Sequence, residues 1–188
     1  SSDILSADLS SLPLLSKKRV LHNPLFTLGE RWTLITRSGT IGRMAYVRSD
    51  MAGLACSEHV LRVVPDETRI PPGYLFAFLS SKFGVPLVVS GTYGAIIQHI
   101  EPEHIAELPV PRFGCGFEQE VAQVIEAAAA ERVAASQHRR AAIDLFQAKI
   151  GLNDQSKPIA HAPMASSLLG RMDAFHYSPR VEAGRSAL

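Results

Sequence analysis

Apolar and polar positions change rhythm along this chain, and the changes divide it into zones. Up to about residue 113, short apolar runs alternate with turns. Trp32-Thr33-Leu34-Ile35-Thr36 combines aromatic, β-branched and aliphatic residues and predicts a strand. Met44-Ala45-Tyr46-Val47 predicts a second strand, and Ser38-Gly39-Thr40-Ile41-Gly42 between them has the chemistry of a hairpin-like connection. His59 to Val64 predicts a third strand, stopped by Pro65-Asp66. Pro72-Gly73 opens a helix over Tyr74 to Ser81, with Leu75, Phe78 and Leu79 on its apolar face. Val85 to Ser90 fits a helix or an extended segment, and Ala95 to Ile100 fits a strand or a strand end. Leu108-Pro109-Val110-Pro111 must be extended, because two prolines deny the backbone a helix. Strands and helices alternate without clean βαβ units. The expected class is α+β with a curved mixed sheet.

The rhythm then becomes helical. From Glu118 to Ile150 there is neither Pro nor Gly, and Ala, Glu, Gln and Arg dominate. Such a helix is about 50 Å long, beyond the usual length in globular proteins. Val121, Val124, Ala128, Ala135, Ala142 and Leu145 follow a heptad that Glu131 and His138 interrupt. That seam predicts a helix–helix contact of the coiled-coil type; the alternative is packing along the helix's own domain. From Gly151 onward the chain is a polar, Pro-punctuated linker, followed by a new patterned segment, Gly170 to Pro179. The expected organisation is a globular domain over 1–116, a long spacer or dimerisation helix over 117–150, and a linker with the start of a second domain over 151–188.

Composition narrows the chemistry. The chain has 188 residues, 46% of them hydrophobic, and a net charge of +1. That suffices for one ordinary core and argues against a purely electrostatic nucleic-acid binder. No apolar run is long enough for a membrane span, and no secretory signal pattern opens the chain. Cys56 and Cys115 form no CxxC pair, so a structural zinc site is not expected. A reduced pair in a cytoplasmic protein is the expectation, with a disulfide left open. The chain starts Ser1-Ser2-Asp3 without an initiator Met, as a trimmed or fragmentary chain would.

Catalytic motifs are missing. There is no HExxH, GxSxG, P-loop or GxGxxG, no methyltransferase loop and no nuclease-like Asp/Glu-x-Lys pattern. His99 and His104, with Glu101 and Glu103 between them, make a weak metal signal. The chain is therefore expected to be a non-enzyme, with no catalytic residues, no metal and no cofactor of its own.

Binding is the better reading. Lys17, Lys18, Arg19, Arg31, Arg37, Arg43 and Arg48 are opposed by Glu30 alone within their stretch of sequence. Such a patch suits phosphate contacts; its bland alternative is a solvated basic face. Arg37 and Arg43 flank Ser38 and Thr40 on a loop where Gly39 and Gly42 permit close backbone approach. Arginine reads guanine bidentately, and Ser or Thr reaches phosphates or base edges. Ser90-Gly91-Thr92-Tyr93-Gly94 is a similar loop with an aromatic, and Gln98 beyond it has the amide that pairs with adenine. The assignments that follow are Lys17, Lys18, Arg19 and Lys82 on phosphates, Arg37, Thr40, Arg43, Tyr93 and Gln98 nearer the bases, and Ser38 as a further DNA contact. Leu34, Ile41 and Ile96 are assigned to the core.

Together these stretches resemble the specificity subunits of type I restriction-modification systems. The likeness rests on Leu34-Ile35-Thr36-Arg37-Ser38-Gly39-Thr40-Ile41-Gly42-Arg43, on Gly91 through Ile100 to Leu108-Pro109-Val110-Pro111, and on Phe117-Glu118-Gln119-Glu120 opening the long helix. It covers roughly residues 1–150. The resemblance implies a target recognition domain that reads half of a split DNA site. It also implies a helix that pairs antiparallel with another as a spacer. Double-stranded DNA, methyltransferase subunits using S-adenosylmethionine, and a restriction subunit would be the partners. The departure is Arg171-Met172-Asp173-Ala174-Phe175-His176-Tyr177-Ser178-Pro179, similar to the opening of a recognition domain yet placed after the helix. A fragment carrying the start of a second recognition domain would explain it, as would circular permutation. Rival readings are the recognition part of a single-chain restriction-methylation enzyme and a helical interaction or scaffold module without a DNA role.

Overall fold

The computed structural model describes residues 2–6, 9, 12, 18, 20, 23–92 and 99–150. Lys17, Arg19, Tyr93, Gln98, most of the strand expected over 95–100, and everything from Gly151 on lie outside the described residues. The chain divides into two compact units, 1–136 and 137–188.

The first unit is α+β, as its patterning predicts. Strands β1 (Thr33–Thr36), β2 (Met44–Tyr46) and β3 (Val60–Val63) form one sheet in the order β2-β1-β3. Both pairings are antiparallel, with Thr33 opposite Tyr46 and Val63, and Ile35 opposite Met44 and Leu61. The described sheet is thus antiparallel throughout rather than mixed. The short turn after β1 returns the chain alongside it, and β3 arrives on the other edge pointing the same way as β2. No parallel crossover is needed.

Central strand β1 is buried along its whole length, which explains why it lacks the apolar–polar alternation of a half-exposed strand. Its two faces feed two cores. Ile35 joins Met44, Leu61, Leu75, Leu79, Val88 and Ile100 on one face. Leu34 joins Leu28, Val47, Met51 and Val60 on the other. Thr33 and Thr36 are buried with them. The first core is roofed by helices α1 (Pro72–Leu79) and α2 (Gly84–Ser90), which are bent 72° to each other. Pro72 sits in the first turn of α1, where its missing N–H costs no helix bond. A short helix the sequence pattern did not suggest, α3 (Pro102–Ala106), follows His99 and Ile100, again with Pro in its first turn. Ile41 packs against the first core and Leu34 lies inside the second, matching their assignment.

Helix α4 runs from Cys115 to Lys149, starting a little before the expected boundary. Its first turn is tied to the preceding strap. The Glu118 carboxylate is buried and accepts both Nε (2.9 Å) and Nη2 (2.6 Å) of Arg112, plus the Phe113 N–H (3.0 Å). One turn on, α4 meets α1 so closely that a Cβ on Gly73 would lie 2.7 Å from the Ala122 carbonyl oxygen. The Tyr74 hydroxyl donates to the Pro111 carbonyl (2.6 Å), pinning the extended Leu108–Pro111 strap between the two helices' beginnings. Among the described residues, no single helix is long and apolar enough to cross a membrane.

Candidate nucleic-acid interface

The turn leaving β1 is built by one buried threonine. Thr36 donates its hydroxyl to the Thr40 carbonyl, and the same oxygen accepts the Arg43 N–H (3.0 Å). Its backbone N–H donates to the Arg43 carbonyl (2.9 Å), and its carbonyl accepts the Gly42 N–H (3.1 Å). The loop is closed on itself before any neighbour touches it. Gly39 and Gly42 have φ of 75° and 77°, in the left-handed region that side-chain-bearing residues avoid. Gly42 also faces α2, where an added Cβ would lie 2.8 Å from Cγ2 of Val89. The outcome is a rigid turn with Gly39, Thr40 and Arg43 exposed at its surface.

The two arginines that bracket this turn have different fates. Arg43 is exposed, and no side chain among the described residues pairs with it. Arg37 lies at the base of the turn with its side chain 23% exposed and Nη2 donating to Glu101 (2.9 Å). Its backbone is held on both sides: its N–H donates to the His59 carbonyl (3.0 Å), and its carbonyl accepts the Ile100 N–H (3.2 Å). Ser38 continues the extended path, forming a bridge with His99 and placing its Oγ 2.9 Å from Nδ1 of His59. Three stretches of chain, 37–38, 58–59 and 99–101, therefore converge at one end of β1. Between them is an open cleft of about 240 Å³, lined by Arg37, Glu58, His59 and His99.

Three arginines of the expected basic patch are ion-paired. Arg31 pairs with Glu67, Arg37 with Glu101, and Arg48 with Asp50 through Nε (2.9 Å) and Nη2 (3.2 Å). Those acids lie outside the basic stretch, so folding reduces the local excess of charge by three. Arg43 survives as an exposed cation, and Lys18 is exposed as well. Lys82 is exposed beside the start of α2, with Nζ 5.1 Å from the centre of the Phe83 ring.

The second glycine loop is less open than expected where it is described. A Cβ on Gly91 would collide with the His104 ring at 2.1 Å, and the His104 Nε2 donates to the Leu87 carbonyl (2.9 Å). Gly91 thus makes room for a histidine that secures the end of α2. His99 and His104 are used apart, one in the cleft and one in packing; no cluster of metal-binding side chains occurs among the described residues. Cys56 and Cys115 are free thiols, and burial pushes the Cys56 thiol up.

The predicted helix seam is mostly open. Val124 and, in the second unit, Leu145 are 64% and 74% exposed; Ala128, Ala135 and Ala142 are exposed too. Val121 is half-buried, leaning toward the face that carries the buried Glu118 and Ala122.

Sequence reasoning did not single out Glu58, His59 or Glu101 as partners of the turn. The signal was weak: His59 opens a strand, and Glu101 precedes a proline, both ordinary positions. A scan against protein-family models finds no match for this chain, and a search of curated proteins finds none either.

Proposed function

We propose that this chain is a double-stranded DNA reader: a target recognition domain and spacer helix of a type I restriction-modification specificity subunit. The observation that carries the proposal is the turn after β1. A segment resembling that family's strand-turn is a self-closed loop that offers Gly39, Thr40 and the unpaired Arg43 to a partner. Backbone exposed at glycine, a hydroxyl and a free guanidinium are the groups that contact phosphates and groove edges. Lys82 and Lys18, both exposed, are assigned to further phosphate contacts. The chain itself performs no chemistry in this reading. Methylation and cleavage belong to methyltransferase and restriction subunits that it would bring to DNA.

Helix α4 supports the same reading. It is anchored at its first turns and then presents Val124, Ala128 and Ala135 to solvent, a seam suited to an antiparallel partner helix that spaces two recognition domains. The same seam favours, as a second reading, a helical interaction module with no DNA role.

Duplex binding separates the two. The chain is expected to bind a random-sequence duplex at about 50 mM salt, and to lose affinity steeply by about 200 mM as phosphate contacts are screened. Charge reversal at Arg43 should weaken that binding severalfold. Absence of duplex binding at the lower salt would leave the interaction module as the correct reading, and an unchanged affinity in the charge-reversed variant would remove the turn from the interface.

A further inference from the structure

Arg37 and Arg43 flank the same turn, but their surroundings equip them for different work. Arg43 is a free, exposed charge. A free charge attracts phosphates at any sequence. Arg37 is ion-paired to Glu101. The pair carries no net charge, so it adds little to long-range attraction for DNA. Arg37 is also held in place. Its backbone is hydrogen-bonded to the His59 and Ile100 segments, and its Nη2 donates to Glu101 (2.9 Å). The guanidinium therefore has one end fixed in the protein while its side chain keeps partial access to the cleft mouth. Fixing a long side chain beforehand removes much of the ordering cost of using it in recognition.

We propose that Arg37 is the residue that reads guanine in the DNA half-site, and that Glu101 is the positioning residue that holds its guanidinium for that contact. The inference rests on the DNA-reading function proposed above. Guanine presents two acceptors, O6 and N7, in the major groove, matching the paired N–H groups of a guanidinium. A carboxylate behind the guanidinium fixes its plane and blocks its drift to the nearest phosphate. Glu101 is suited to this role because Arg37 and Glu101 come from the two neighbouring stretches joined by the bridge between Ser38 and His99. The other charged or titratable groups at the cleft are Glu58, His59 and His99. Glu58 on the cleft wall, its carboxylate 3.7 Å from Nε2 of His59, puts negative charge there, which favours an uncharged base edge over a phosphate. Recognition is thereby divided: Arg43 contributes affinity at any sequence, and Arg37 contributes affinity only where its base is present.

The test is selection from a random duplex library by the full 188-residue chain, with salt-dependence measured on the selected duplex. The wild type should enrich a G·C pair at one fixed position, favoured roughly 5- to 150-fold over other pairs. Arg37→Gln should lose that preference while keeping the others, with the salt slope nearly unchanged. Arg37→Lys keeps the charge and should lose the preference too, because an ammonium does not reproduce the fork. Glu101→Gln should blur the preference at the same position. Arg43→Gln should weaken binding evenly across sequences and lower the salt slope by about one. Circular dichroism and a melting curve confirm that each variant is folded; a misfolded Arg37→Gln leaves Arg37→Lys and Glu101→Gln to decide. If the wild type selects a sequence but Arg37→Lys and Glu101→Gln preserve every preference, the inference is overturned and DNA reading stands. If the wild type binds no duplex at all, both fall together.

Discussion

Replacing Gly73 by alanine tests how the start of α4 is seated against α1. Two effects oppose each other. Alanine is a better helix former than glycine by about 1 kcal/mol in a helix interior, and by less in the first turn where Gly73 sits. Against this, the new Cβ would lie 2.7 Å from the Ala122 carbonyl oxygen, 2.8 Å from its Cα and 3.2 Å from its carbonyl carbon. Carbon contacts settle at about 3.5–4.0 Å, so α1 and α4 must separate by roughly 0.8 Å. All three obstacles are backbone, so no rotamer change relieves them. Forced separation in a packed interface costs about 1–3 kcal/mol. The net expectation for Gly73→Ala is a loss of about 1–2 kcal/mol, read as a fall in melting temperature of about 2–8 °C for a chain of this size. Chemical denaturation gives the free energy directly. The second arm is Ala122→Gly. It removes only a methyl that is not among the three nearest atoms and leaves the backbone obstacles in place, so the double variant should recover little of the Gly73→Ala loss, as a double-mutant cycle would read it. A Gly73→Ala protein as stable as the wild type would refute the close helix contact. Recovery in the double variant would show that the Ala122 methyl, not the backbone, sets the distance.

Other outcomes follow from the turn and from the helix start. Gly42→Ala places a side chain at φ of 77° and 2.8 Å from Cγ2 of Val89, and should cost about 1–3 kcal/mol in denaturation. Adding Val89→Ala removes the collision but not the backbone strain, so only part of the loss should return. Thr36→Val keeps the shape but removes the oxygen that accepts the Arg43 N–H, and should cost about 1–2 kcal/mol while raising amide exchange at Arg43. The Arg112 guanidinium holds the Glu118 carboxyl below the usual carboxylate range. A lowered folded value stabilises the native state fully above the unfolded value and stops doing so as pH falls through the folded one. Acid should therefore lower the wild-type melting temperature more steeply than that of Glu118→Gln, and parallel pH profiles would contradict the pairing.

Local geometry was readable in the sequence, because it is decided within a few positions. Trp32–Thr36, Met44–Val47 and His59–Val64 predict three strands that the fold contains, the first two one residue shorter at one end and the third at both. The Pro72-Gly73 start signal and the unbroken run after Glu118 predict the two helices that matter most here. Helix α3 escaped notice because five residues give no periodicity to see. The mixed sheet was expected because the pattern shows which segments are strands but not which way neighbours run. Electrostatics was the least readable property. A run of cations in sequence becomes a patch only if no acid folds onto it. Glu67 and Glu101 reach Arg31 and Arg37 from 36 and 64 positions away, distances no local pattern spans.

That pairing changes what the strand-turn segment signifies. Seven cations would have made the region a general phosphate-binding surface, with the turn as one contact among many. With three of them paired, the turn is left carrying a larger share of whatever contact the domain makes. Its residues also separate by task. Thr36, Gly39 and Gly42 are spent on shape: one closes the loop through its hydroxyl, and two take a backbone conformation that others avoid. Such residues set the shape of the turn, whatever partner it meets. Thr40 and Arg43 are the side chains the turn offers outward, and Arg37 is the one it keeps at its base against Glu101. A domain that must change its target while keeping its fold would vary the residues around such a base, Glu101 and the cleft wall at Glu58, His59 and His99, before it varied the turn. On the proposed DNA-reading function, substitutions at those cleft positions should therefore shift base preference at lower cost to stability than substitutions at Thr36 or Gly42.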